Sequence, residues 1–338
     1  MTEKGAKQNI QSIQLLRGLA SFGVMLSHTS AALLPKTNIF QPISEFGSVG
    51  IYVFFIISGF IIPYSMFQNS YHIRNFKNLM LRRIVRIEPP YVICIIVILL
   101  LYYLNRFSPW YTGAKEIVPI DWGNVLGHIG YVNAFTHKPW LNPVFWTLAI
   151  EFEWYLMIGL LYPLLTSGNK KILLGSNVLL LATFYLTPFF CGGRNFFLYD
   201  APIFYFLPFF LMGIALFIWK VGKITLSELI FLVTLNALVC AQNYSLLLVV
   251  VCVLSLLAIQ FIKKVPKPFL WLGTISYSLY LTHSIVVTRF MALVTKLTKS
   301  NLLELRVFLL IVACLVFAWV YCLLFEIPFM KLSKRIKL

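Results

Sequence analysis

Long apolar runs, separated by short polar or Gly/Pro-bearing stretches, dominate the chain. They fall near 13–34, 47–67, 87–104, 144–165, 172–190, 202–219, 225–240, 245–262, 269–293 and 304–326. Most approach the ~20 apolar residues that a helix needs to cross a bilayer. The pattern predicts an all-α fold, a polytopic transmembrane helix bundle of about ten spans. No repeat or low-complexity tract interrupts it, so residues 1–338 read as a single integral-membrane domain with no fused extracytoplasmic domain. The stretch up to Arg17 and the apolar run after it have the layout of a secretory signal. Polar residues inside that run, and nine further spans, favour an uncleaved first helix.

Composition supports lipid as the solvent. Hydrophobic residues make up 60% and charged residues 12%, with a mean hydropathy of +0.85. Soluble domains average roughly 45–50% apolar and about 25% charged, so a soluble enzyme is excluded. A net charge of +17 would suggest nucleic acid in a soluble protein, but its distribution follows the spans. Eighteen of the 28 Lys and Arg lie in alternate loops, at 4–7, 74–86, 170–171, 220–223, 263–267 and 331–337. The other loops hold Lys36, Arg106, Lys115, Lys138, Arg194, Lys296 and Lys299, while Arg17, Arg289 and Arg306 sit at or inside span ends. Cytoplasmic loops carry such an excess. Both termini are therefore expected in the cytoplasm, and no nucleic-acid partner is implied.

The longest piece without helical pattern, about 105–143, lies on the outer side. Its Trp110, Tyr111, Trp122, Tyr131 and Trp140 predict packing. His128, His137 and Asp121 fit no common ligand spacing and read as surface groups, so no metal is expected. The six cysteines, at 94, 191, 240, 252, 314 and 322, form no framework; five lie inside spans as small hydrophobes.

Ionisable groups at bilayer depth are costly and hence functional candidates. Arg17 and His28 are eleven residues apart, about three turns plus 20°, so both occupy nearly one face of the first helix. His28 then lies about 16 Å further from the cytoplasm. A histidine can serve as acid or base near neutral pH; a buried imidazole bonded to a neighbouring helix is the plainer alternative. Glu151 lies about 10 Å below the outer end of the fourth span, near the depth of His28, and is a candidate partner for it. Glu153 points to another face. His283 is again deep; Tyr277 and Tyr280 share one side of the ninth span with each other and nearly with His283, and a hydrogen-bonded helix contact is the favoured reading of both tyrosines. Arg83 and Arg86, one helical turn apart at the cytoplasmic face, suit phosphate oxygens because guanidinium forks donate in parallel. Attraction to anionic lipid is the simpler reading of the same pair. Together these groups suggest a phosphate clamp (Arg17, Arg83, Arg86) below a deep His–Glu constellation.

The same residues resemble the acyltransferase-3 family of integral-membrane O-acyltransferases. IQLLRGLASFGVMLSH resembles its opening motif, an Arg, ten residues and a His. GSVGIYVFFIISGFII, with Ser58-Gly59, resembles the second. RRIVRIEPPY is similar to the Arg-x-x-Arg motif, FWTLAIEFEWYL to Trp-Ser-Leu-x-x-Glu, and ISYSLYLTH to the closing signature. They run in family order from residue 13 to 283. Thr147 stands where Ser is usual, Phe152-Glu153 where Glu-Gln is frequent, and Glu88 where an aromatic is frequent. The resemblance implies an acyl-CoA donor, usually acetyl-CoA, and a hydroxyl of an envelope or exported glycan as acceptor, in a bacterial inner membrane. It implies His28 as catalytic base, Glu151 as its partner, and Arg83 and Arg86 on the CoA phosphates. Ser58, Trp146, Tyr277 and Tyr280 are candidates for oxyanion or substrate contacts, with His283 in support. A transporter or flippase for an anionic lipid-linked sugar is the alternative, since it too needs buried charge and a basic entrance.

Overall fold

In lipid a chain must satisfy its own backbone, and helices do so within each segment. The computed structural model describes residues 3–33, 47–105, 120–190, 201–298 and 303–337, and every regular element among them is helical. The helices are α1 (Glu3–Leu33), α2 (Gly50–Gln68), α3 (Phe76–Asn105), α4 (Trp122–Ile129), α5 (Phe145–Leu165), α6 (Lys170–Ala182) and α7 (Ile203–Lys220). They continue with α8 (Leu226–Asn243), α9 (Leu246–Phe261), α10 (Lys267–Thr274), α11 (Ser276–Leu297), α12 (Leu303–Tyr321) and α13 (Ile327–Ser333). Among the described residues, eight helical stretches are long and apolar enough to cross a membrane. The other two expected spans correspond to α1, long but interrupted by polar side chains, and α9, of 16 residues. Large apolar side chains such as Ile96, Leu100, Leu160, Leu254, Phe308 and Val316 point outward. The chain is a multi-pass membrane protein.

At the centre stands α7, whose residues from Phe206 to Ile218 are all buried. It crosses α2 with backbone against backbone. A Cβ on Gly59 would lie 2.1 Å from the Phe210 carbonyl oxygen, and one on Gly213 would lie 2.2 Å from that of Ile56. Small residues at such a crossing let helices approach closely where lipid gives no hydrophobic drive. Ordinary overpacking costs about 1–3 kcal/mol; here the obstacle is main chain, which cannot rotate aside. Gly213→Val is expected to abolish a monodisperse, folded peak on size-exclusion chromatography in mild detergent. A variant with the parent's profile and melting temperature would show that the crossing tolerates bulk.

Three elements depart from the sequence pattern. The third helix begins at Phe76, well ahead of the apolar run at 87, so Arg82, Arg83 and Arg86 are helical residues. Charge ends hydropathy but does not end a helix. Pro89 and Pro90 remain inside α3. The tyrosine hydroxyls of Tyr277 and Tyr321 donate to the carbonyls of Ile87 (3.0 Å) and Pro90 (2.5 Å) beside them. The ninth run is broken at Ile275 into α10 and α11. The tenth continues beyond 326, through a π-helical turn at Cys322–Glu326 into α13. That turn brings the buried Glu326 to the start of α11, where its Oε2 accepts from the Ser278 N–H (3.2 Å) and hydroxyl (2.6 Å). Five cysteines are buried thiols; Cys191 lies outside the described residues.

Residues 120–143, the described part of the stretch without helical pattern, hold α4. Trp110 and Tyr111 lie outside the described residues. Tyr131 is buried, stacking on Tyr91 (5.4 Å) and Phe152 (4.8 Å), whereas Trp122 is exposed. Asp121 caps α4 by accepting from Asn124 N–H (3.0 Å) and pairs with Lys138 (2.8 Å), which holds its carboxyl below the usual range. His128 is not a surface group. It is fully buried, its Nδ1 bonded to the Asn124 carbonyl (2.8 Å) and its Nε2 accepting from Leu141 N–H (3.0 Å). Burial holds this imidazole below its ordinary pKa, so the fold prefers it neutral. The unfolded form takes up a proton first as pH falls, and the stabilisation present above about pH 6.5 is lost below it. Hydrogen exchange across 122–143, corrected for intrinsic rates, should therefore quicken from about pH 7.5 to pH 5.5. Equal protection at both would count against a neutral His128 as the tie.

Candidate active site

Five membrane helices and a segment before one of them supply two stacked groups of polar side chains. The groups are separated along α1 by the eleven residues from Arg17 to His28, about 16 Å.

The group distant from the arginines centres on two histidines. The rings of His28 on α1 and His283 on α11 are 5.1 Å apart between centroids and tilted by 47°. His283 is fully buried; His28 is half-buried and lines a cavity of about 280 Å³. Ile98 and Leu101 of α3, Leu141–Pro143 before α5, and Ser284–Arg289 of α11 contribute to its wall. Asn142 braces that wall. Its Nδ2 donates to Leu281 O (3.2 Å), and its Oδ1 accepts from Ser284 Oγ (2.6 Å) and Val144 N–H (3.3 Å).

The second group lies toward the basic ends of α1 and α3. Glu151 Oε1 accepts from Tyr155 Oη (2.5 Å) and Ser58 Oγ (3.3 Å). The Arg83 guanidinium sits 5.1 Å from the centroid of the Tyr155 ring, with its buried Nε lacking a hydrogen-bond partner. Arg83, Glu88, Tyr131, Glu151 and Tyr155 line a cleft of about 10 Å³, room for roughly one water. Arg17 is within electrostatic reach of Arg86, Glu326 and Glu151, and Arg83 of Arg86, Arg82 and Glu151. None of Arg17, Arg83 and Arg86 forms an ion pair among the described residues. The nearby carboxylates are instead engaged by hydroxyls of Tyr155, Ser58 and Ser278.

The expected pairing of His28 with Glu151 is not formed. Similar depth did not mean facing sides: Glu151 turns toward α2 and its own next turn, and His28 faces His283. Cleft and cavity share no lining residue. Between them Tyr280 Oη and Thr147 Oγ1 are hydrogen-bonded at 2.7 Å, with Tyr280 edge-on to Phe54 at 5.5 Å. Trp146 lies against Phe206 (5.5 Å) in the apolar core, tying α5 to α7, and Tyr277 is spent on the α3 carbonyl. Glu153 accepts from Ile203 N–H (2.9 Å) and thereby caps α7. Two residues went unnoticed in the sequence. Glu326 carried a signal, an acid inside an otherwise apolar run; Asn142, just before a proline, carried almost none.

The sequence profile of the acyltransferase-3 family, described as an acyltransferase domain, matches residues 10–325. ORF330 of Acidianus two-tailed virus, provisionally named an acetyltransferase, is 26% identical over 304 residues, covering 80% of this chain and 81% of its own. No solved structure matches the chain.

Proposed function

The chain belongs to the acyltransferase-3 family and is a membrane acyltransferase, and from that premise we propose a substrate pair and a route. The donor is cytoplasmic acetyl-CoA; the acceptor is a hydroxyl of an extracytoplasmic or exported glycan; the membrane is a bacterial inner membrane with both chain termini on the cytoplasmic side. One observation carries the reading: three guanidinium groups without carboxylate partners gather about 16 Å along α1 from a histidine that lines a cavity. A cation cluster of that kind calls for a multiply charged anion. The distance suits a ligand whose phosphates and reactive end are joined by a long arm, as in an acyl-CoA.

In this route Arg17, Arg83 and Arg86 hold the phosphates. His28 takes the proton of the acceptor hydroxyl as its oxygen attacks the thioester carbonyl. The tetrahedral intermediate collapses with loss of CoA thiolate, which receives that proton from His28. Thr147 and Tyr280 must separate for the thioester to pass. Glu151 holds Tyr155 beneath the Arg83 guanidinium rather than orienting the base. The test is incubation of purified protein in vesicles with acetyl-labelled CoA and envelope glycans, read by mass. A saturable, acetyl-sized increment on glycan is expected. Donor binding without any increment, on glycans from cells lacking the gene, would overturn the acceptor assignment.

A further inference from the structure

His283 is fully buried, and its two ring nitrogens are in different circumstances. Nδ1 lies 3.0 Å from the carbonyl oxygen of Leu279, one turn back on α11. A carbonyl oxygen only accepts, so Nδ1 carries the proton. In the neutral ring Nε2 is then a bare lone pair, and this buried atom has no hydrogen-bond partner among the described residues. Such acceptors are rare in folded proteins and call for an explanation. Around the ring, Tyr280 (6.1 Å) has its hydroxyl engaged with Thr147, and the Cys314 thiol is directed at the His283 carbonyl, not at the imidazole. The Tyr280 backbone also meets the ring, and its carbonyl, like that of Leu279, only accepts; among the described ring contacts the one that carries a nitrogen donor is His28, at 5.1 Å between centroids. At that separation a hydrogen bond of ordinary length, about 3 Å, fits between the nearest ring nitrogens after a small turn of the half-buried ring.

We infer that His283 is the positioning residue for His28: its bare Nε2 accepts the His28 N–H and so leaves the opposite His28 nitrogen unprotonated toward the cavity. The inference rests on His28 being the base. It gives that base an orienting partner which is an imidazole, where a carboxylate usually serves. In the reaction the acceptor's proton binds the cavity-facing nitrogen, the other N–H stays on His283, and the departing thiolate then removes the proton just gained. The neutral, enclosed His283 shares the transient charge without itself changing protonation state.

Asparagine and glutamine separate the two nitrogens. An asparagine amide can reproduce the bond to Leu279 while lacking any group at Nε2; a glutamine carbonyl can place an acceptor there. His283→Asn should lower kcat roughly 10- to 100-fold with KM for acetyl-CoA unchanged. His283→Gln should recover most of that loss. Equal rates in the two variants, or a kcat within twofold of the parent in His283→Asn, would overturn the inference. A second measurement needs no turnover. In 15N spectra of histidine-labelled protein, assigned by His28→Asn, His28 should occupy one tautomer in the parent and a mixture in His283→Asn. A His28 signal unchanged between them would overturn the pairing. Failure of parent protein to transfer any acyl group would instead strike His28 as base, and the spectra would still decide the pair.

Discussion

Alanine in place of His28 leaves a folded protein that no longer transfers acetyl groups. General base catalysis contributes typically 10²–10⁴-fold, and no other described residue lining the cavity can replace it. Of the residues lining the cavity, Arg289 is the other strong polar group, and arginine stays protonated in proteins. His283 is enclosed and has no path to a substrate without moving α11. The fold should survive, because His28 is only half-buried and its described contact is one ring pair. The measurement is label transfer by the purified variant, with thermal unfolding as the control for folding. A rate within tenfold of the parent, in a normally folded variant, would remove His28 from the chemistry.

Arg83→Ala should weaken acetyl-CoA binding by about 10- to 100-fold, since a hydrogen bond to a charged group contributes about 1.5–3 kcal/mol. Arg83 supports the larger expectation within the triad. Its Nε is buried without a partner among the described residues, and the Tyr155 ring lies 5.1 Å from its guanidinium carbon. Arg83→Lys should recover only part of the loss, because a point charge cannot donate in parallel. The double variant Arg83→Ala/Arg86→Ala should also flatten the dependence of affinity on salt. Lys77→Ala, an exposed change on the same helix, supplies the control and should bind normally. Calorimetric titration with CoA reads these values. An unaltered dissociation constant in Arg83→Ala would exclude the clamp.

The spans could be read because lipid enforces them: a bilayer admits long apolar helices and little else. What hydropathy missed were features it does not measure. The start of α3 at Phe76 is hidden by its arginines, and the break at Ile275 occurs within a run whose hydropathy does not fall. Spacing on a helix made Arg83 and Arg86 neighbours, because 3.6 residues per turn fixes which groups share a face; packing of the bundle is what brings Arg17 near Arg86. Depth alone misdirected the partner of His28. Two residues at one height on different helices meet only if the crossing angles turn them together, and packing sets those angles. Ser58 does meet Glu151, while Trp146 packs on Phe206 and Tyr277 makes the helix contact that its sequence reading favours. The resemblance to a family named these residues without saying which of them touch.

The glycine crossing of α2 and α7 also decides which parts of the bundle can give way. With main chain pressed on main chain, that pair acts as a stator. α5 is fastened to it, through Glu153 on the first N–H of α7 and Trp146 on Phe206. Passage between the two chambers needs Thr147 and Tyr280 to part, and Thr147 belongs to the fastened side. The displacement therefore falls to the Tyr280 side chain, since α11 itself is tied to the fastened side by the Asn142 bonds to Leu281 and Ser284.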